Sequence, residues 1–565
     1  MSIRSQVLLL GGVVLLILML VPFQWYPKSW RLIYDQWFGA VEYISPSDSL
    51  ELDSVKVAED FCPPDTKGWR QAQTIAGIQI DSSPVCSPDN PYAVAAFVRG
   101  TDKMSAELLM QARLASDAVV KGRDLDGDGD PDEIHIRLEV IELNGASPDT
   151  EELMTQFEMA PGVKPGIWVF APKSVGMSTE NFVSNVAHSA LRLPSPVIRI
   201  EQGDVVSITL ENSHYMPHTI HFHGVDHPFL DADGEGNDGV PATSELPVMP
   251  GSSRTYEMQP RHPGTMFYHC HVQPQVHVMM GLQGMFVIEE NRPNNQVQTF
   301  NIGAGLVRHR SKASTESYDR EYDLHYQTLH RELSEHVQSS NDPRVVSKLM
   351  HREFNPATSD PDYFTLNGLS FPLTLREALI VTRPNEKVKL RVLNGGSEDI
   401  ALHTHGHKVT ISHYDGVEQT VQARITRDVV SIAPAQRLDL VLDTTNDGLH
   451  SYGEGVWLMH DHYPRGVTTD GIGPGGNVSA IVYENFLRED GWPKVSGADL
   501  APYFDENFYK KKIPVWRGYD PDLRFAEMNN SFLVKMKLAS AAALGGFAMG
   551  LLLNILFILA GRLRD

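Results

Sequence analysis

Cysteine is scarce in this chain, with three in 565 residues: Cys62, Cys86 and Cys270. Three thiols form at most one disulfide and leave one sulfur over. Cys62 and Cys86 lie close together among Pro, Asp and Ser. Two readings stay open for them: a pair formed in an oxidising compartment, or two unrelated buried thiols. Cys270 is then the odd one, and its neighbours decide what it does. Basic residues are also short, 48 Lys and Arg against 71 Asp and Glu, for a net charge of −23. That balance excludes non-specific nucleic-acid binding, which needs a basic surface. It attracts cations weakly, or serves only solubility. Apolar residues are not lacking: at 42% hydrophobic the composition is globular rather than disordered. The length exceeds one ordinary core, which sets an expectation of about two to four domains.

Long apolar runs are confined to the two ends. Residues 7–23 are almost wholly apolar, follow Arg4 and precede Trp25 and Tyr26, an interfacial pair. No small-x-small cleavage site closes the run, since Pro22, Phe23 and Gln24 stand there. An uncleaved anchor is therefore expected rather than a removed signal peptide. Residues 538–560 form a clearer span, with Lys535 and Lys537 before it and Arg562 and Arg564 after it. The flanking basic residues predict cytoplasmic termini with about 500 residues outside the cytoplasm. This is the layout of a bacterial-type inner-membrane protein whose bulk is periplasmic. Gly546 and Gly550 make a GxxxG surface on the second span.

Between the spans the texture changes near residue 192. Residues 51–190 read as a mixed α/β region, with helical spacing over 105–121 and a strand over 134–143. Between these lies "DLDGDGDPDE", residues 124–133. Alternate carboxylates followed by a glycine make Asp124, Asp126, Asp128, Asp130 and Asp132 candidate calcium ligands. The twelfth position is His135 where an EF-hand needs Glu, so a full EF-hand is excluded. A shorter calcium loop and a merely solvated acidic turn both remain. After 192, short alternating strands recur, broken by Gly, Pro, Asn and Asp, and they predict β-sandwiches. The stretch 195–212 reads as two strands joined by a Gly-Asp turn, and 307–362 as a charged insertion with a helical stretch.

The histidines are what this chain has in plenty where chemistry is concerned. Residues 217–224 read "PHTIHFHG" and 268–277 "YHCHVQPQVH"; residues 402–407 read "LHTHGH" and 459–462 "MHDH". On a strand, residues two apart share a face, so each HxH projects two imidazoles side by side. Four such pairs exist, His221/His223, His269/His271, His403/His405 and His460/His462, in two rounds about 180 residues apart. Imidazole suits copper, zinc, iron and nickel, and eight rings are too many for one ion but suit a cluster of about three. Around Cys270 a second set is visible. A thiolate, two imidazoles and a weak axial group make a blue-copper site. His218 and His277 are the natural imidazoles, and Leu282 stands at the axial place. Met280 would need another register. In the second round Asp461 stands where that cysteine would be, Ile400 where the first imidazole would be, and no histidine follows His462 within ten residues. All three departures say that the second domain holds no thiolate-bound ion.

"HTIHFHG", "YHCHVQPQVH", "LHTHGH" and "HDH" resemble the multicopper oxidases, over roughly residues 190–486. The likeness is to two-domain, laccase-like members related to trimeric nitrite reductases, with type 1 copper in the first domain only. The resemblance implies four copper ions per chain. His218, Cys270 and His277, with Leu282 axial, would be the type 1 set. His221 and His403 would hold type 2 copper, and His223, His269, His271, His405, His460 and His462 the type 3 pair. It also implies that Asp238 in "NDGVP" aids proton delivery to oxygen; without the family it reads as a turn residue. His407 is not a ligand by this likeness. Two-domain relatives complete the cluster across a homotrimer, and this chain is expected to do the same.

The expected architecture is mainly β: two cupredoxin-like Greek-key sandwiches, a mixed α/β N-terminal region and a transmembrane helix at each end. The segments are 1–26 (anchor), 51–190, 191–292, 296–486 and 535–562 (second helix). The expected function is one-electron oxidation of a metal ion or a phenol coupled to reduction of dioxygen to water. A copper nitrite reductase needs one type 2 ion and would lack His271. A membrane-tethered electron-transfer protein would need the cluster lost, and no ligand position is substituted.

Overall fold

The computed structural model describes residues 115–510, apart from 116, 175–177, 180–183, 188–189, 296, 308–310, 312–315 and 496–499. It also describes the backbone of four short strands between residues 67 and 85, and residues 550, 551 and 553. The first apolar end run, the second apart from Gly550, Leu551 and Leu553, Cys62 and Cys86, and most of the helix expected over 105–121 lie outside the described residues. Among the described residues no helix is long and apolar enough to cross a membrane.

The first sandwich is built from β1 (Val119–Lys121), β2 (Glu133–Leu143), β3 (Ile167–Pro172), β4 (Val197–Glu201), β5 (Val205–Glu211), β6 (His221–His223), β7 (Ser253–Met258), β8 (Gly264–His269), β9 (Gln283–Glu289) and β10 (Phe300–Asn301). One sheet runs β7-β5-β2-β1 with β3 on the far side of β2, and the other runs β6-β8-β9-β4-β10. Alternation sets the faces. Ile134, Ile136, Leu138 and Val140 of β2 and Val206, Ile208 and Leu210 of β5 are buried in the shared core, while His135 and Arg137 turn outward. The Gly-Asp turn does not make a hairpin: β4 and β5 belong to opposite sheets.

Two expected boundaries move. The first sandwich does not begin at 191, because β2 pairs in parallel with β5 from Glu133↔Val205 to Glu139↔Glu211, and β3 pairs with β2. Residues 119–172 therefore complete this sandwich rather than forming a separate α/β body. Val119–Lys121, expected at the end of a helix, is a strand paired with β2; the β-branched Val119 and Val120 suit that sheet edge.

The second sandwich repeats the plan. Its strands are β11 (Arg320–Leu329), β12 (Tyr363–Leu366), β13 (Ile380–Thr382), β14 (Lys387–Asn394), β15 (Ile400–Thr404), β16 (Val409–Tyr414), β17 (Val429–Ile432), β18 (Arg437–Asp443), β19 (Val456–Asp461) and β20 (Ser479–Tyr483). The order β15-β19-β20-β13 matches β6-β8-β9-β4, and the parallel pair β11/β14 matches β2/β5. Because β11 is part of the sandwich, the inserted segment is confined to about residues 330–362. It holds α1 (Arg331–Ser339), α2 (Pro343–Lys348) and a π-helical turn, Leu349–Glu353. Asp342 caps α2 by accepting from Arg344 N at 2.9 Å, with Pro343 in the first turn. Leu333, Val337, Val346, Met350 and Phe354 of this insertion pack into the core of the first sandwich, not the second.

A buried ionic lattice joins the two sandwiches. Arg199 of β4 makes a bidentate contact with Asp323 of β11 at 2.5 and 2.6 Å. Arg391 of β14 reaches Glu289 of β9 at 3.2 Å and Asp439 of β18 at 3.0 Å, and also contacts Glu321. With Lys389 on Asp439, three cations meet four carboxylates, none of them more than 9% exposed. Every charge has an opposite partner, and both arginines have three, as burial at this depth requires.

Candidate metal centres

The thiol of Cys270 lies one residue beyond β8. His277 returns to it from the short turn Pro274–His277, and His218 arrives just before β6. Cys270 Sγ is 3.6 Å from His218 Nδ1 and 3.3 Å from His277 Nδ1, and all three side chains are fully buried. Both rings therefore turn Nδ1 inward. Cys270 N donates to Leu282 O at 3.0 Å, which brings the expected axial residue alongside. Met280 is buried in the core, and Met279 packs against it. Burial pushes the Cys270 thiol up to about 12 and holds His218 and His277 well below the ordinary imidazole range.

The outward nitrogens of both rings are capped by histidines with no HxH spacing to announce them. His218 Nε2 is 2.8 Å from His214 Nδ1, and His277 Nε2 is 3.0 Å from His351 Nε2 in the π-helical turn. Trp168 of β3 sets its edge against His214, His218 and His277, with centroids 4.8, 5.8 and 5.1 Å away. Its Nε1 donates to Glu142 Oε2 at 2.8 Å. Residues 119–172 thus furnish one wall of the thiol site.

The eight HxH imidazoles form two quartets with one design. In the first, β6 and β8 pair so that His221 faces His269; in the second, β15 and β19 pair so that His403 faces His460. Ring centroids lie 5.3–6.0 Å apart for His221 with His223, His269 and His271. They lie 4.6–5.6 Å apart for His403 with His405, His460 and His462. The hydrogen bonds repeat too. His221 Nδ1 donates to Asp238 O (2.7 Å) and His403 Nδ1 to Asp428 O (2.9 Å). His269 Nδ1 bonds Cys270 O (3.1 Å) and His460 Nδ1 bonds Asp461 O (2.8 Å). A carbonyl on Nδ1 fixes the tautomer and leaves the Nε2 lone pair free for a metal. Burial lowers His223 to about 4 and His269 to about 3, and also lowers His405 and His460, so these rings stay neutral, as ligands must be.

Among the described residues no ring contact or hydrogen bond joins one quartet to the other. The second quartet is the more open, with His405 and His462 exposed. The Asp238 carboxylate, Oδ1, is 3.2 Å from His221 Nδ1 and 3.2 Å from His227 Nε2, so the sequence-predicted acid touches the first quartet. His407 is turned away, bonded to Tyr483 OH at 2.9 Å. In the acidic loop, Asp124, Asp126 and Asp128 bring carboxylate oxygens within 4.8 Å of one another. Asp130 and Asp132 do not join them. Asp130 accepts from Asn295 N at 2.8 Å, and Asp132 accepts from Leu125 N and Asp126 N.

Family models described as Multicopper oxidase match residues 177–293 and 325–469, covering both quartets up to His462 and the thiol site. These two matched stretches are multicopper oxidase domains. An iron transport multicopper oxidase of Gibberella zeae is 25% identical over 317 residues, 52% of this chain and 44% of that protein. Copper resistance protein A of Pseudomonas syringae pv. tomato is 26% identical over 283 residues, 47% and 43% of the two chains. The chain spans less than half the length of the curated relatives it matches. Among solved structures, the multicopper oxidase mgLAC aligns with a TM-score of 0.47 at 23% identity, over 66% of this chain and 92% of that one.

The two multicopper oxidase domains imply copper, and the donor sets fit it. One soft sulfur with two neutral imidazole nitrogens, enclosed and dry, suits a thiolate-bound copper, and the all-imidazole quartets suit copper without thiolate. The residues that sequence reasoning missed are Trp168, Glu142, His214, His227, Asp428 and His351. His214 stands only four residues before His218, outside the HxH spacing; the others act through contacts 11 to 74 residues away in sequence, which no local spacing signals.

Proposed function

We propose that this multicopper oxidase couples one-electron oxidation of a small donor, a metal ion or a phenol, to four-electron reduction of dioxygen to water. The observation that carries this reading is the duplication of the histidine quartet, with the same two Nδ1-to-carbonyl hydrogen bonds in each copy, beside a single buried Cys-His-His set. His218, Cys270 and His277, with Leu282 beside them, would hold type 1 copper. His221 and His403 would share one ion of a trinuclear cluster, and His223, His269, His271, His405, His460 and His462 the other two. Copper, when bound, supplies single-electron uptake at the thiolate and four-electron delivery at the cluster. The chain supplies the rest. Cys270 lies between His269 and His271, so the thiolate and the cluster are linked by adjacent backbone. Asp238 Oδ1 would hold a proton between His227 and His221, next to the place where oxygen must be protonated.

The same reading includes a head-to-tail homotrimer, as the resemblance to two-domain relatives implies, in which the second quartet of one copy would face the first of the next. Anchoring by residues 7–23 and 538–560, with the copper domains on the outer side of a bacterial-type inner membrane, is part of the same proposal.

Copper per chain, measured by elemental analysis after full loading and set beside the oligomer's mass, tests this reading. About four per chain in a trimer is expected. About two would replace it with nitrite reduction, despite His271.

A further inference from the structure

The thiol site has no ligand atom at the surface: His218, Cys270, His277 and Leu282 are all fully buried. A donor in solution therefore touches none of them. Each imidazole is capped at Nε2 by another histidine, and the two caps differ. His214, on His218, is itself buried and lies behind Trp168. His351, on His277, is only half-buried. Among the described residues hydrogen-bonded to a ring of this set, His351 alone meets solvent.

Its placement is specific. Met350 and Val346 anchor the insertion in the first sandwich's core, while His351 reaches His277 with Nε2 to Nε2 at 3.0 Å. The rings lie 5.2 Å apart at 32°. The turn is π-helical, a rare geometry found mostly at functional positions. With Nδ1 of His277 turned toward the sulfur, its Nε2 carries the proton and donates to His351 Nε2. His351 Nδ1 then carries its own proton and faces Ser347 Oγ at 3.5 Å.

We propose that His351 is the electron inlet of the type 1 site. Donors meet its exposed edge, and the electron crosses the His351–His277 hydrogen bond to the thiolate centre. The inference rests on the copper reading above. One electron leaves the donor and one arrives at the occupied site. The His277 Nε2 proton stays in its hydrogen bond, so no proton has to follow. The inserted segment of the second sandwich thereby decides what the first sandwich can oxidise. As an acceptor, His351 also raises the basicity of His277, which favours the oxidised site.

The test is anaerobic reduction of the copper-loaded protein by ascorbate, followed at the blue thiolate-to-copper absorption, with the reduction potential measured in parallel. His351→Leu is expected to keep the blue absorption and copper content, to be reduced about tenfold or more slowly, and to show a higher potential. His351→Gln, which keeps polar atoms at that depth, is expected to recover part of the rate, and Arg352→Ala to leave it unchanged. A blue His351→Leu protein reduced within about twofold of the wild-type rate would overturn the proposal. Should the leucine variant not take up copper, an unchanged rate in His351→Gln overturns it equally. Wild-type protein that loads copper without becoming blue removes the type 1 reading itself, and this proposal with it.

Discussion

Cys270 and Asp461 occupy the same place in two copies of one sheet, between two histidines that point to a quartet. Around Cys270 the chain has gathered His218, His277, two capping histidines and a tryptophan wall. Around Asp461 it has done the opposite. Ile400 fills the imidazole position, and the carboxylate serves backbone: Oδ1 accepts from Ala401 N and from Tyr463 N, each at 2.9 Å. Asp461 N donates to Asn477 Oδ1 at 3.2 Å. What remains beside it is a cavity of about 10 Å3 that Tyr326, Gln327, Ile400 and Asp461 help to line. A thiolate site needs a whole neighbourhood, whereas the histidines on either side need only the strand register and two carbonyls. The second quartet thus stands without a thiolate centre between its histidines.

The sharpest break of this comparison is at the sulfur. Cys270→Ser is expected to remove one copper per chain and the blue absorption, and to lower donor oxidation by about 100-fold or more, with the copper of the shared cluster retained. Elemental analysis and oxygen uptake check it. Loss of clearly more than one copper per chain would mean that the quartets are not independent of the thiolate. Next is Asp461→Ala, which strands two N–H groups behind the second quartet. A loss of about 1–3 kcal/mol is expected, seen as a melting temperature lower by a few degrees. Asp461→Asn, which keeps an acceptor, should lose less, and equal losses would show that the carboxylate is no clasp. The smallest change is Tyr326→Phe. Its hydroxyl is buried beside the cavity without a hydrogen-bond partner. Removing it is expected to alter stability by no more than about 0.5 kcal/mol, with any change a gain. A clear loss in a urea titration would give the cavity beside Asp461 a polar role after all.

The sequence reading did best where structure is local. The HxH period fixed which imidazoles share a face, and strand pairing then put His221 opposite His269 and His403 opposite His460 as the duplication required. The replacement of Cys by Asp and of His by Ile was legible because a missing ligand shows in one residue. Pairing between distant strands was not legible. Residues 133–143 alternate as a strand should, but nothing in them says that their partner lies some 70 residues on, in β5. The first sandwich was consequently drawn too short, and Trp168 and Glu142 were missed with it. The same limit hid His351. Its helical surroundings were readable, but its contact with His277 depends on how an insertion of one sandwich folds onto the other. Asp130 and Asp132 carried the right spacing for a cation loop and were turned inward by Asn295 and by the loop's own N–H groups.

The ionic lattice between the sandwiches bears on assembly. Arg199 and Arg391 each hold carboxylates on both sides of the seam, with no exposed charge to let it slip. In the proposed ring, each subunit then acts as a rigid gauge. The bearing of one quartet relative to the other is cast inside the subunit, and the number of copies that closes the circle follows from that angle. A mutation at Arg391, which is none of the proposed copper ligands, would express itself as a misfit between neighbours.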